Sequence, residues 1–220
     1  IGVPYIIRCG FWLANCCTRR RIIVPPAHRT IHLQINTEHR LDQAVWRPSA
    51  HWDLRPWGLL PELVVVHCVS LPEGQYGTGA PQRLFTGVLD CAEHSSFADL
   101  EGLKVAPHVL IDRLGQLEQF VGFDKRAWHA GVSNWRGRNS CNDFSIGVEL
   151  EGSVADDYTV AQYRTLIQLV ITLMGMYPQI SADAVVGHCD IAPVRKTDPG
   201  PRFDWLRVIT QVHQKLETLW

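Results

Sequence analysis

Residues 143–188 read DFSIGVELEGSVADDYTVAQYRTLIQLVITLMGMYPQISADAVVGH, and this stretch decides the fold class. Its opening alternates. Phe144, Ile146, Val148 and Leu150 share one face of a strand; Ser145, Gly147, Glu149 and Glu151 share the other. Thr159 and Gln162 then fit a capping box. Behind them Tyr163, Leu166, Ile167, Val170, Leu173, Met174 and Tyr177 recur at helical spacing until Pro178 stops the run. Residues 184–188, AVVGH, read as a short apolar strand that ends in His188. Strands alternating with a helix indicate an α/β fold.

Working outward, residues 63–67, LVVVH, form a β-branched run bounded by Pro61 and Pro72, a buried strand with His67 at its end. Residues 81–89 suit a short helix. Residues 105–112 and 116–121 are two strand-like runs around Arg113-Leu114-Gly115, hence a hairpin. A last helix is expected over about 204–219, with Leu206, Ile209, Val212 or His213, Leu216 and Leu219 facing inward. No internal repeat is visible. The expectation is one α/β domain over residues 41–220, with a central mixed β-sheet flanked by helices.

Residues 1–40 differ from the rest. They carry Arg8, Arg19, Arg20, Arg21, Arg29 and Arg40 against a single acid, Glu38. The apolar stretch precedes the arginines, the reverse of a signal peptide. This segment is expected to be a disordered extension, or a start site drawn too far upstream.

Composition narrows the function classes. A net charge of −1 offers no basic field for nucleic acid. No apolar run reaches the length of a membrane-spanning helix. The seven cysteines are odd in number and contain no CxxC, which favours reduced thiols in a reducing compartment over a disulfide framework.

The chemistry concentrates in residues 187–201, GHCDIAPVRKTDPGP. His188 and two carboxylates, Asp190 and Asp198, lie within ten residues of one another. His67 and His188 both end predicted buried strands, where clefts in α/β sheets tend to open. Two neutral imidazoles with one carboxylate make a ligand set typical of catalytic zinc, with a fourth position left for water. Spacing leaves Asp190 and Asp198 both open, and hydrogen-bonded core histidines are the competing reading. A carboxylate on the polar strand face is a candidate proton carrier. Glu149 and Glu151 have the same facing, so the period does not separate them. Lys196 is a candidate for stabilising an oxyanion. Lys104, His108, Trp128, His129, Arg138 and Asn142 are candidate substrate contacts, through stacking or carboxylate pairing.

Five segments then add up to a family. VHCVSLP (66–72), RAWHAG (126–131), CNDFSIGVELEG (141–152), GHCDIAP (187–193) and KTDPG (196–200) resemble the AmpD family. These are the cytoplasmic 1,6-anhydro-N-acetylmuramyl-L-alanine amidases of Gram-negative bacteria, within the zinc N-acetylmuramoyl-L-alanine amidases. The resemblance runs over about residues 52–205, with the motifs in the same order. It implies the fold shared by zinc amidases and peptidoglycan-recognition proteins, with His67, His188 and Asp198 as zinc ligands. It also implies Glu149 as the catalytic glutamate and Lys196 as the lysine supporting the intermediate. The reaction implied is hydrolysis of the lactyl–L-alanine amide in anhydro-muropeptides, during peptidoglycan recycling. The enzyme would be cytoplasmic and monomeric, and its loss in such bacteria can induce a chromosomal β-lactamase. A binding-only module and an amidase acting on intact wall are the alternatives. Three positions depart from the family pattern. Cys68 stands where Asn is common. Pro107 lies in a segment expected to be strand, which calls for an edge or bulge. Lys104 replaces an arginine of some relatives.

Overall fold

The computed structural model describes residues 32–218. The strands are β1 (Val45–Trp46), β2 (Trp52–Leu54), β3 (Leu63–Val69), β4 (Val109–Ile111), β5 (Leu117–Gln119), β6 (Lys125–Ala127), β7 (Asn134–Trp135), β8 (Arg138–Asn139), β9 (Ser145–Glu151) and β10 (Val185–Gly187). The α-helices are α1 (Ala80–Phe85), α2 (Val160–Met176), α3 (His188–Ile191) and α4 (Trp205–Glu217).

Six strands form one sheet in the order β1-β5-β4-β9-β3-β10. The four strands β4, β9, β3 and β10 are mutually parallel, β5 runs antiparallel to β4, and β1 runs parallel to β5. The sheet is therefore mixed, as expected. Its long central strands, LVVVHCV and SIGVELE, are β-branched and buried along most of their length. Central parallel strands are covered on both faces, so near-continuous burial is the normal result.

One face packs on α2. Val64, Val66, Ile146, Val148 and Leu150 meet Tyr163, Leu166, Ile167, Val170 and Leu173 in the largest core cluster. Each such side chain contributes about 1.5–3 kcal/mol on full burial. Thr159 and Gln162 form the expected capping box at the start of α2. The opposite face is split between two smaller clusters. One holds Leu63, Val65, Ala130 and Phe144; the other holds Leu84 and Phe85 of α1 with Leu110 and Phe120. The polar gap between them is where the site sits.

Three expectations need adjusting. The buried side of α4 carries Val208 and Val212, with Trp205 and Leu216 packed beside them, while Leu206 is 76% exposed and Ile209 40%. Val212 and Leu216 face inward as expected, while Trp205 and Val208 take the places expected for Leu206 and Ile209; Leu219 lies outside the described residues. Leu33 joins the main core and His39 Nδ1 sits 2.6 Å from the Tyr177 hydroxyl, so residues 32–40 belong to the folded domain's edge. The rest of the arginine-rich segment, residues 1–31, is outside the described residues. Pro107 precedes β4 rather than lying within it. The N–H groups of Ala106 and His108 donate to Trp128 and Gly147 carbonyls, and the proline between them needs no donor.

Candidate active site

β3 and β9 pair in parallel with His67 opposite Glu149. Paired residues on adjacent parallel strands point to the same face. His67 and Glu149 therefore rise side by side from the face opposite α2. On the other edge of β3, β10 places Gly187 opposite Val66, which delivers His188, the first residue of α3, next to His67. Asp198 reaches the same point from the loop after α3. That loop is pinned twice: Cys189 N–H donates to the Asp198 carbonyl (2.9 Å), and the Tyr158 hydroxyl donates to the Pro199 carbonyl (2.7 Å).

The result is a tight triangle. His67 Nδ1 lies 2.9 Å from His188 Nδ1, and each is 3.2 Å from Asp198 Oδ2. Ligands held about 2.0–2.1 Å from a tetrahedral zinc ion stand about 3.3 Å from one another, so the edges of this triangle fit such an ion. Tautomers agree with the fit. His188 Nε2 faces the Ala130 carbonyl at 3.1 Å, and His67 Nε2 faces His129 Nδ1 at 2.9 Å. Protons on those outer nitrogens leave both Nδ1 lone pairs bare toward the carboxylate. Three converging acceptors repel unless a cation lies among them. Burial also lowers the His67 pKa to about 4, which favours the neutral, ligand-competent imidazole.

The structure separates the paired carboxylates that spacing left open. Asp190 Oδ2 accepts from Gly187 N–H at 2.7 Å and is a turn cap, away from the triangle. Glu151 is buried and accepts from the backbone N–H of Gly77 (2.5 Å) and of Arg113 (3.2 Å), holding two loops together. Glu149 instead borders a cleft of about 630 Å³ together with His67, His188, Lys196 and Asp198. Its Oε2 is buried and has no hydrogen-bond partner. Burial raises its pKa well above the usual value, Asp198 reinforces the rise, and Lys196 opposes it. Cys68 points away from His67. It packs against the α2-side core, and burial pushes its thiol to about 12, so a thiolate there is disfavoured.

The remaining candidates divide. Trp128 and His129 border the cleft; the Trp128 ring stacks on His51, and its indole N–H is buried without a partner. Asn142 is buried, and its Oδ1 accepts from the N–H groups of His129 and Ala130 at 3.1 and 2.8 Å. It holds the backbone of the cleft wall and lies outside the cleft lining. His108 is fully buried between Gly147 N–H and the Lys125 carbonyl, both at 3.0 Å. It was expected in the cleft and is a core histidine. Lys104 is exposed and outside the cleft lining. Arg138 pairs with Glu62 (2.5 Å) and lies over the Phe144 ring, also outside it. Two arginines carried no sequence signal. Arg195 borders the cleft and donates to the Ala130 and Val132 carbonyls at 2.8 and 2.9 Å. Arg55 is half-buried and donates to the carbonyls of Phe123, Asn142, Asp143 and Ser145.

These buried neutral histidines set the acid stability of the metal-free protein. Burial lowers the His108 pKa to about 3 and that of His67 to about 4. Between the unfolded value near 6.5 and these folded values, the unfolded state binds more protons. Stability is therefore lost as pH falls through that window, at about 1.4 kcal/mol per unit for each histidine. Urea unfolding at pH 7.5, 6, 5 and 4 should show a steep decline. A His108→Gln protein, less stable at pH 7.5, should show a shallower one.

The fold and this cleft define a class. Residues 57–201 match the family described as N-acetylmuramoyl-L-alanine amidase, and the chain belongs to it. It is similar to the 1,6-anhydro-N-acetylmuramyl-L-alanine amidase AmpD of Salmonella typhimurium (strain SL1344), with 55% identity over 160 residues, 73% of this chain and 85% of that protein. The crystal structure of a Se-Met AmpD derivative matches with a TM-score of 0.79 at 50% identity, covering 81% of this chain and 99% of that one. The amidase AmiD from E. coli, in complex with its substrate anhydro-N-acetylmuramic acid-L-Ala-D-gamma-Glu-L-Lys, matches with a TM-score of 0.51 at 31% identity, over 71% of this chain and 60% of that one.

Proposed function

We propose that the chain hydrolyses the lactyl–L-alanine amide of 1,6-anhydro-N-acetylmuramyl peptides, with zinc held by His67, His188 and Asp198. The observation that carries this reading is the convergence of His67 Nδ1, His188 Nδ1 and Asp198 Oδ2 in one cleft with Glu149, whose Oε2 is buried and unpaired. Zinc, when bound, supplies a Lewis acid and lowers the pKa of a coordinated water.

The chain's own residues do the rest. The raised pKa of Glu149 suits a group that accepts a proton from the attacking water and passes it to the departing amine of L-alanine. Lys196 borders the same cleft and offers an ammonium donor to the carbonyl oxygen as it gains charge. The Trp128 ring borders the cleft and offers a flat apolar face to a sugar. Asn142 and Arg195 hold the 128–132 segment that carries this wall.

The same reading makes this a cytoplasmic, monomeric enzyme of peptidoglycan recycling. It is supported by the similarity to AmpD and by the free thiols of Cys68, Cys91, Cys141 and Cys189. No helix among the described residues is long and apolar enough to cross a membrane.

Mass spectrometry of anhydro-muramyl tripeptide incubated with the purified protein tests the reaction. Free tripeptide and anhydro-N-acetylmuramic acid are expected, lost on chelation and restored by zinc. An unchanged substrate with zinc bound would favour a binding module, and full activity in metal-free protein would remove zinc from the mechanism.

A further inference from the structure

We infer that His129 is a positioning residue, which fixes the tautomer of His67 so that Nδ1 is presented bare to the metal. The inference rests on the proposed zinc site and deepens it. A neutral imidazole that ligates through Nδ1 must carry its proton on Nε2. His67 is 2% exposed, so that proton needs an acceptor within the protein. The atom facing it is His129 Nδ1, at 2.9 Å, with the two rings edge to face at 87°.

His129 can accept only if its own proton sits on Nε2. That nitrogen lies 3.1 Å from Ser145 Oγ, and the hydroxyl serves as the acceptor. Ser145 is fixed in turn, because its carbonyl receives Arg55 Nη2 at 2.8 Å. Proton direction is thus set along one line, from His67 through the half-buried His129 to Ser145. The backbone of His129 is held independently, by the bond from its N–H to Asn142 Oδ1.

The fold makes room for this ring at one residue. A Cβ on Gly147 would collide with His129 Cγ, so the ring lies directly on the glycine backbone. The glycine lies between Ser145 and Glu149 on the site face of β9. Its backbone is locked in place: Gly147 N–H donates to His108 Nδ1 at 3.0 Å, and its carbonyl receives His108 N–H at 2.9 Å. His108, misassigned to the cleft by sequence, thereby belongs to the support of the His129 ring.

Partners that orient a metal-ligating histidine typically change metal affinity 10–100-fold when removed. Three variants test the inference: His129→Phe, which keeps a ring without an acceptor; His129→Asn, whose Oδ1 can replace Nδ1; and Ser145→Ala. Zinc affinity is measured by competition with a chromophoric chelator. The His67 tautomer is read in zinc-free protein by long-range 1H–15N correlation, and folding by thermal unfolding without metal. His129→Phe is expected to weaken zinc binding about 10–100-fold and to move His67 from the Nε2–H form toward the Nδ1–H form. His129→Asn is expected to recover most of the affinity, and Ser145→Ala to weaken it several-fold with a partial tautomer shift. If His129→Phe does not fold, the His129→Asn and Ser145→Ala proteins carry the same comparison through the tautomer signal. Unchanged affinity and tautomer in the folded variants, or equal losses for His129→Phe and His129→Asn, would overturn the inference. A wild-type protein that binds no zinc would overturn the zinc site together with it; wild-type binding with insensitive variants would overturn the inference alone.

Discussion

Glu149→Gln protein is expected to bind zinc normally and to lose turnover by about 10²–10⁴-fold, the usual contribution of a positioned acid–base group. The side chain is half-buried and borders the cleft with Asp198, yet it lies outside the ligand triangle. An amide of the same size preserves the packing and removes only the ability to carry a proton. The comparison with Glu151 makes the test specific. Glu151→Gln should keep most of its turnover, because its carboxylate bonds Gly77 and Arg113 backbone and faces no reacting group. Its loss should appear in stability instead, at about 1–3 kcal/mol, since an amide cannot accept at both ends. Initial rates on anhydro-muramyl tripeptide, with bound zinc measured on the same samples, decide the matter. Equal loss of turnover in the two proteins would show that the wrong carboxylate has been assigned.

Asp198→Ala should lose both zinc and activity, the latter falling to the level of chelated wild type. Removing Asp198 Oδ2 leaves two bare imidazole nitrogens 2.9 Å apart with no anionic partner, one ligand short of a catalytic zinc set. The control is Asp190→Ala. That carboxylate is exposed and caps only the Gly187 N–H, so zinc and turnover should remain while stability falls by about 1 kcal/mol. Metal content after dialysis against trace zinc, together with circular dichroism to establish folding, separates the two. Zinc retained at wild-type affinity without Asp198 would exclude it from the ligand set.

Much of this molecule is legible in its sequence. The alternation in residues 144–151 and the capped apolar repeat that follows correspond to β9 and α2, because both are long and strongly periodic. The hairpin of β4 and β5 follows from turn chemistry around Gly115, which adopts a φ of +80°. Helix α4 shows the limit. Leu206 and Ile209 make as good a helical stripe as Trp205, Val208 and Val212, and only the packing partners choose between them. His108 and Asn142 show another limit. Both are polar and close in sequence to the site motifs, but burial against backbone donors and carbonyls absorbs their hydrogen bonds. Arg55 gave no signal because its partners are four carbonyls from distant segments.

The sequence by itself determined the mixed α/β architecture, the family, and the residue types able to hold a metal. Local periodicity and long motifs carry that information along the chain. Periodicity and spacing alone left Glu149 and Glu151 on one strand face and Asp190 and Asp198 both open; the family resemblance pointed to Glu149 and Asp198 without a physical reason. The tertiary structure supplies that reason: the parallel register sets Glu149 beside His67, and backbone donors occupy Glu151 and Asp190. It also brought His129 onto Gly147 and against His67, a contact that no spacing in the chain contains, because it forms only when three separate segments meet on one sheet face.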